Sequence, residues 1–317
     1  MTYSKFTLLK KIRSEKLSLE NFKSEINFAK FQKPYIRKSN LRSILDFYNI
    51  SSERNELKEL IKKVEFARKG GYPIFFSLSP RILSNGLSPL IINLMQSGWV
   101  SAISINDEFL IKDFEIALAG KFIDYKKNFM DGEKITGIAE ETGLFLNIAF
   151  KEGDKKGKGA GEAVGDYLNS AKFKFNEHSI IANAYKLNIP VTLHSLPGSS
   201  KLHYHPNYDG RIFGNLLDRD FILFSSIIAG ICGNGVFIST SIDRKEMDIL
   251  INSLEFCLEN GIVLNNMSIG LTGKIEESSV NKDMEKMKSY KNISIYRILG
   301  EPELLLPIIS SLLLDKR

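Results

Sequence analysis

The stretch PIFFSLSPRILSNGLSPLIINLMQSGWVSAISINDEFLIKDFEIALA, residues 73–119, decides the fold. It predicts an apolar strand at Pro73–Leu78, a helix at Leu87–Ser97, a second strand at Trp99–Ile105 and a helix at Glu108–Ala119. Almost continuously apolar strands that alternate with helices are typical of βαβ units on a parallel sheet. The stretch therefore predicts an α/β protein.

The same alternation returns later in the chain. Further apolar runs predict strands at Ile189–His194, Gly235–Ser239, Ile262–Ile269 and Ile293–Ile298. Together they predict a Rossmann-like three-layer fold, with a mainly parallel sheet and helices on both faces. One sheet should contain these four segments: Ile74–Leu78, Ala102–Ile105, Val191–His194 and Val236–Ser239.

The positive charge of the chain is concentrated near its beginning. The net charge is +6, and residues 1–70 carry 17 Lys and Arg against 8 Asp and Glu. We expect a basic, helical N-terminal extension at residues 1–53 and a Rossmann-like domain at residues 54–317. Because no nucleic-acid-binding motif accompanies the charge, we do not expect a nucleic acid partner.

The sequence favours a cytoplasmic protein with no membrane segment. No apolar run reaches the length of about 18 residues that a membrane span needs. The first residues lack the apolar core of a signal peptide. The two cysteines, Cys232 and Cys257, have neither metal-site spacing nor the pattern of a disulfide framework.

Three of the four histidines lie in one loop that follows a predicted strand. The segment contains His194, His203 and His205, and Asp209 follows shortly after. In an extended chain His203 and His205 would point to the same side. We therefore expect the four side chains to converge on one cavity and to act as catalytic or substrate-binding groups. Two alternatives remain, a metal held by His203 and His205, or histidines that only bond to the backbone.

A glycine run at residues 157–165 resembles a dinucleotide-binding fingerprint only at first sight. Gly157, Gly159, Gly161 and Gly165 do not have the required spacing, and a Lys-rich loop rather than a strand precedes them. The run more simply predicts a loop that begins a helix. Amide groups at such a helix start could hold a phosphate or a carboxylate.

The order of the segments resembles deoxyhypusine synthase and, more closely, its bacterial relatives of uncertain function. The resemblance covers roughly residues 55–315 and depends on the collinear set rather than on one motif. Its segments are Ser84–Met95, Trp99–Asn106, Asp113–Leu118, Ile138–Gly143, the histidine loop to Gly210, and Glu301–Pro307.

The resemblance implies a Rossmann-like sheet that binds NAD in a homo-oligomer, usually a tetramer. The cofactor would lie near Ser77, Asn106 and Ser239. Yet the glycine turns of the family are replaced by Asn106-Asp107-Glu108-Phe109 and by Ser239-Thr240-Ser241, and its Trp-Gly-Lys motif is absent. Bulky and acidic residues hinder the approach of a pyrophosphate, so NAD binding is doubtful and deoxyhypusine synthesis is not expected.

Our leading hypothesis is therefore a deoxyhypusine synthase-like enzyme, transferase-like, that acts on a small polar substrate. The first alternative is a metal-dependent hydrolase that uses His203 and His205, although a metal is not our expectation. The second is a binding or scaffold subunit that has lost catalysis, because the glycine turns are lost.

Overall fold

Six parallel strands form one sheet in a computed structural model that describes residues 53–123, 138–196, 198–240, 244–273, 277–288, 290 and 292–314. The strand order is β3-β2-β1-β4-β5-β6, and every neighbouring pair is parallel. The strands are β1 (Ile74–Leu78), β2 (Ala102–Asn106), β3 (Val191–His194), β4 (Val236–Ser239), β5 (Met267–Thr272) and β6 (Ile293–Ile298). The predicted α/β fold and its four named strands are confirmed.

Eleven α-helices accompany the strands within the described ranges. They are α1 (Glu53–Gly70), α2 (Arg81–Ser84), α3 (Ser88–Gln96), α4 (Asp107–Ala119), α5 (Glu140–Lys155), α6 (Ala160–Ala171), α7 (Ile180–Lys186), α8 (Gly210–Ile231), α9 (Arg244–Glu259), α10 (Glu277–Lys288) and α11 (Pro302–Leu314). None of them is both long enough and apolar enough to cross a bilayer. The predicted extension at residues 1–53 lies outside the described residues except for Glu53, the first residue of α1.

Helices cover both faces of the sheet, as its apolar strands require. Alternate residues of β1 belong to different apolar clusters. Ile74 and Phe76 pack in one cluster with residues of α1, α3, α4 and α11. Phe75 packs in the other with residues of α8 and α9. The strand therefore has no solvent-facing side, and all five of its residues are buried.

The fifth strand begins later than its apolar run predicts. The run Ile262–Leu264 follows Gly261, which has a positive φ of 77°, and Asn266 has a φ of 47°. These left-handed positions form a turn between α9 and β5. The strand therefore starts only at Met267.

A buried carboxylate from α8 accepts a hydrogen bond from the backbone of the edge strand β3. Asp220 Oδ2 accepts hydrogen bonds from Leu193 N at 2.8 Å and from Gly161 N at 3.1 Å. A Cβ on Gly161 would lie 2.0 Å from the carbonyl oxygen of Val191, so the start of α6 lies directly against the strand. The predicted helix start in the glycine run is correct, and the carboxylate at its amides is the protein's own.

Candidate functional site

A cavity of about 800 Å³ opens at the carboxyl ends of the first four strands. The chain leaves β1 toward β2 and β3 on one side, and later places β4 on the other side of β1. In open α/β sheets, ligands bind at the crevice that forms where the strand order reverses in this way. The topology therefore marks this cavity as the candidate site.

Glu246, from the first turn of α9, lies at this reversal point. Its Oε1 accepts a hydrogen bond from Ser77 Oγ at 3.0 Å, and its Oε2 accepts one from Ser239 Oγ at 2.9 Å. Thr240 Oγ1 accepts from Ser79 N and donates to Ser77 O, which joins the two strand ends. Both hydroxyls donate to Glu246, so they orient its carboxylate at the reversal point.

Asn106 also lines the cavity, but its side chain caps a helix. Its Oδ1 accepts from Phe109 N at 2.9 Å at the start of α4. The next two residues, Asp107 and Glu108, put two carboxylates in the first turn. Lys112 donates to Glu108 at 2.8 Å and to Ser84 Oγ at 2.9 Å. This helix start therefore presents acidic groups to the cavity and has one amide already occupied.

His194 ends β3 and lines the cavity wall. Its ring meets that of Phe224 edge-on, with centroids 4.7 Å apart, and its Nε2 lies 3.1 Å from Thr192 Oγ1. Desolvation lowers the pKa of His194 to about 4. The imidazole is therefore neutral at physiological pH and can exchange hydrogen bonds with a ligand without carrying charge.

Of the four residues that we expected to converge, His194 lines the cavity, and His203, His205 and Asp209 do not. His203 Nδ1 accepts from Gly198 N at 2.9 Å, and its ring packs on Tyr208. Asp209 caps α8 by accepting hydrogen bonds from two backbone amides of its first turn.

His205 is buried away from the cavity, with only 2% of its surface exposed. Its ring lies against Gly143, where a Cβ would come within 2.2 Å of His205 Cδ2. Its Nδ1 accepts from Asn207 N, and its Nε2 lies 3.8 Å from Glu140 Oε2. Burial lowers the pKa of His205, and the charge of Glu140 opposes this effect. The side chain anchors the loop on α5.

His203 and His205, the pair named in the metal alternative, have different surroundings. Across the described ranges, no three His, Cys, Asp or Glu side chains are grouped so that they could hold a metal ion. His203 and His205 belong to different packing environments, as their contacts with Tyr208 and Gly143 show.

Sequence reasoning missed six charged residues of the cavity: Lys112, Lys201, Asp218, Arg244, Lys245 and Glu246. Burial lowers the pKa of Lys201. Glu246 had a detectable signal, because it follows the end of a predicted strand by seven residues and lies at a helix start. Lys201 lies in the histidine loop and had no such signal.

Comparison with known proteins shows similarity in structure only. No known sequence family and no curated protein matches the chain. Unliganded AgrE aligns with 83% of this chain at 14% sequence identity and a TM-score of 0.55. AgrE in complex with ornithine and NAD⁺ also aligns with 83% of this chain, at 13% sequence identity and a TM-score of 0.51. The chain spans about a third of the length of AgrE, 33% and 34% in the two structures.

A candidate deoxyhypusine synthase from Entamoeba histolytica matches over nearly its whole length. It aligns with 90% of this chain and 98% of its own, at 13% identity and a TM-score of 0.51. The chain has a deoxyhypusine synthase-like fold. The resemblance inferred from the order of sequence segments is thus confirmed for the architecture, and at this identity it extends to the fold alone.

Proposed function

We propose that this protein is an enzyme that binds a small molecule with a positively charged amino group in the cavity at the carboxyl edge of the sheet. The carrying observation is Glu246, a carboxylate fixed at the reversal point between β1 and β4 by Ser77 and Ser239. An ammonium group next to an oriented carboxylate forms a charge-assisted hydrogen bond. His194, which also lines the cavity, is neutral and suited to bind a polar group of the same substrate.

The structural neighbours support a ligand of this charge. One AgrE structure holds ornithine with NAD⁺, and another, at 13% identity and a TM-score of 0.52, holds L-arginine. Both amino acids carry a cationic side chain. Transferase-like chemistry stays part of the proposal, with a homo-oligomeric assembly as in the resembling family. The hydrolase alternative loses its motive, because the histidine pair lies outside the cavity.

Replacing Glu246 should remove most of the affinity for amines. We expect Glu246→Gln to weaken binding of ornithine or spermidine about 10- to 100-fold, because a hydrogen bond to a charged group contributes about 1.5–3 kcal/mol. Isothermal titration calorimetry at pH 7.5 measures the change. Glu259→Gln, on the exposed end of the same helix, is the matched control and should leave binding unchanged.

Two results would contradict this proposal. If neither amine binds the wild-type protein, the scaffold alternative gains. If each amine binds to Glu246→Gln as tightly as it binds to the wild type, the group that recognises the amine lies elsewhere in the cavity.

The residues at the reversal point do not fit the pyrophosphate of NAD. A pyrophosphate needs free helix-start amides and close backbone approach. At the start of α4, the side chain of Asn106 already accepts a hydrogen bond from the amide of Phe109, and the first turn carries the carboxylates of Asp107 and Glu108. At the start of α9 Glu246 brings a further negative charge between the strand ends.

We therefore expect NAD to bind weakly, with a dissociation constant well above about 1 μM. Titration calorimetry with NAD⁺ checks this value, and tighter binding would show that the acidic turns accommodate the cofactor. Because we attribute the weak binding to repulsion between the Glu246 carboxylate and the pyrophosphate, Glu246→Gln should bind NAD⁺ more tightly than the wild type does.

A further inference from the structure

We infer that the ligand of this cavity carries an apolar body, aliphatic or aromatic, next to its amino group. The inference rests on the proposed function, since it takes Glu246 as the site of the amino group. It refines the small polar substrate that the sequence predicts, because α8 and β4 contribute an apolar part to a cavity whose lining also includes Arg244 and Lys245 beside Glu246.

One helix supplies a continuous apolar wall. Leu217, Phe221 and Phe224 follow each other at helical spacing on α8, so they lie on one face, and all three line the cavity. Phe224 is buried, whereas Leu217 and Phe221 are half-buried. Two large apolar side chains therefore remain partly open to the cavity, where a ligand could cover them.

The helix that carries the carboxylate continues this surface. Ile249 lies one turn after Glu246 on α9, also lines the cavity and is also half-buried. An ammonium bound to Glu246 would thus have an aliphatic side chain beside it along the helix.

The floor below the carboxylate is a rigid aromatic cluster. Phe237 precedes Ser239 by two residues on β4, so both side chains lie on the same face of the sheet. The rings of Phe75, Phe224 and Phe237 meet edge-on, with centroid distances of 5.1, 5.4 and 6.3 Å. Such packing fixes the rings and offers no hydrogen bonds.

A second charged group of the ligand would be poorly placed on these surfaces. An ammonium group buried against these surfaces loses its hydrogen bonds to water and gains none from the apolar side chains, which costs free energy. Among the other carboxylates of the cavity, Asp107 and Glu108 lie at the start of α4, and Asp218 lies next to Leu217 on α8. The apolar walls therefore favour an apolar body on the ligand, and a second ammonium group has a partner on α8 only at Asp218.

A series of primary amines tests this inference by titration calorimetry. From ethylamine to butylamine to hexylamine, we expect the dissociation constant to fall about fourfold for each added methylene, the effect of burying that group.

A pair of variants on one helix locates the apolar wall. Leu217→Ser should weaken hexylamine binding about tenfold and leave ethylamine binding unchanged, since the short amine does not reach the wall. Ile222→Ser, at a residue on the same helix that is 48% exposed and does not line the cavity, should change neither. Circular dichroism melting curves verify that both variants are folded.

The outcomes separate the two proposals. If the amines bind through Glu246 but chain length has no effect, the apolar body is refuted and the proposed function stands. If no amine binds, both fail. The wild-type series alone decides the matter if Leu217→Ser does not fold.

Discussion

Asp220→Ala is expected to lower the free energy of unfolding by about 3 kcal/mol at pH 4, where the carboxyl group is protonated in the folded protein. The carboxyl group is fully buried and accepts hydrogen bonds from Leu193 N and Gly161 N. Its removal leaves two backbone amides without acceptors inside the protein, and each buried unsatisfied group costs about 1–3 kcal/mol. Urea unfolding followed by circular dichroism measures the loss.

Asp218→Ala provides the control for this prediction. Asp218 lies two residues earlier on the same helix and is exposed, so its replacement should change stability by no more than about 0.5 kcal/mol. Similar losses in the two variants would mean that the amides of Leu193 and Gly161 find other acceptors, and that the edge of β3 does not depend on the carboxyl group.

The same residue makes stability depend on pH. Burial raises the pKa of Asp220 from 3.8 to about 7, against the opposing effect of its hydrogen bonds from backbone amides. Since the folded state holds the proton more strongly, this contribution is complete below pH 3.8 and is lost as the pH rises through 7. Asp220→Asn keeps an oxygen acceptor and cannot ionise. Its stability relative to the wild type should therefore increase by a few kcal/mol between pH 4 and pH 8.

Other groups titrate in this range, and the comparison of the two proteins removes them. Burial raises the pKa of Asp113 to about 6, which gives the same sign, whereas the lowered pKa of His194 gives stability that falls as the pH drops from 6.5 to about 4. Both groups are present in wild type and variant alike. A difference that stays constant with pH would contradict the raised pKa of Asp220.

The sequence predicts the sheet well because each of its first four strands is an apolar run ended by polar or turn residues. The same property explains why Ser77, Asn106 and His194 line the cavity. Parallel strands direct their carboxyl ends to one edge, so residues that close the predicted strands meet there without any knowledge of tertiary contacts. Ser239 reaches the same edge and bonds to Glu246.

The histidine loop shows where this reasoning stops. A common direction for His203 and His205 requires an extended backbone, but Lys201–Tyr204 forms a 3₁₀ turn. In that turn the period of two residues no longer applies. The environment of His205 depends on Gly143 in a distant helix, and such a long-range contact has no signal in the loop sequence. The role of Asp220 likewise depends on contacts that are distant in sequence, since its partners Leu193 and Gly161 lie on β3 and α6.

Gly161→Ala should be among the most damaging single-methyl additions in the described part of the chain. The new Cβ would lie 2.0 Å from the backbone oxygen of Val191, and a backbone atom cannot turn aside as a flexible side chain can. The start of α6 must therefore separate from β3, which also strains the bond between Gly161 N and Asp220. We expect a loss of about 3 kcal/mol in the free energy of unfolding, at the upper end of the usual cost of overpacking, measured by urea unfolding.

Gly214→Ala is the matched control, since that glycine is also helical and no atom lies within 4 Å of the position of its Cβ. Alanine is the better helix former, so this variant should gain up to about 1 kcal/mol. Because β3 ends at His194, the displacement in Gly161→Ala should also reach the cavity wall and weaken amine binding, whereas Gly214→Ala should bind amines as the wild type does. If both alanine variants are equally stable, the contact between α6 and β3 is looser than this geometry requires. If Gly161→Ala is unstable but binds amines normally, the position of His194 does not depend on that contact.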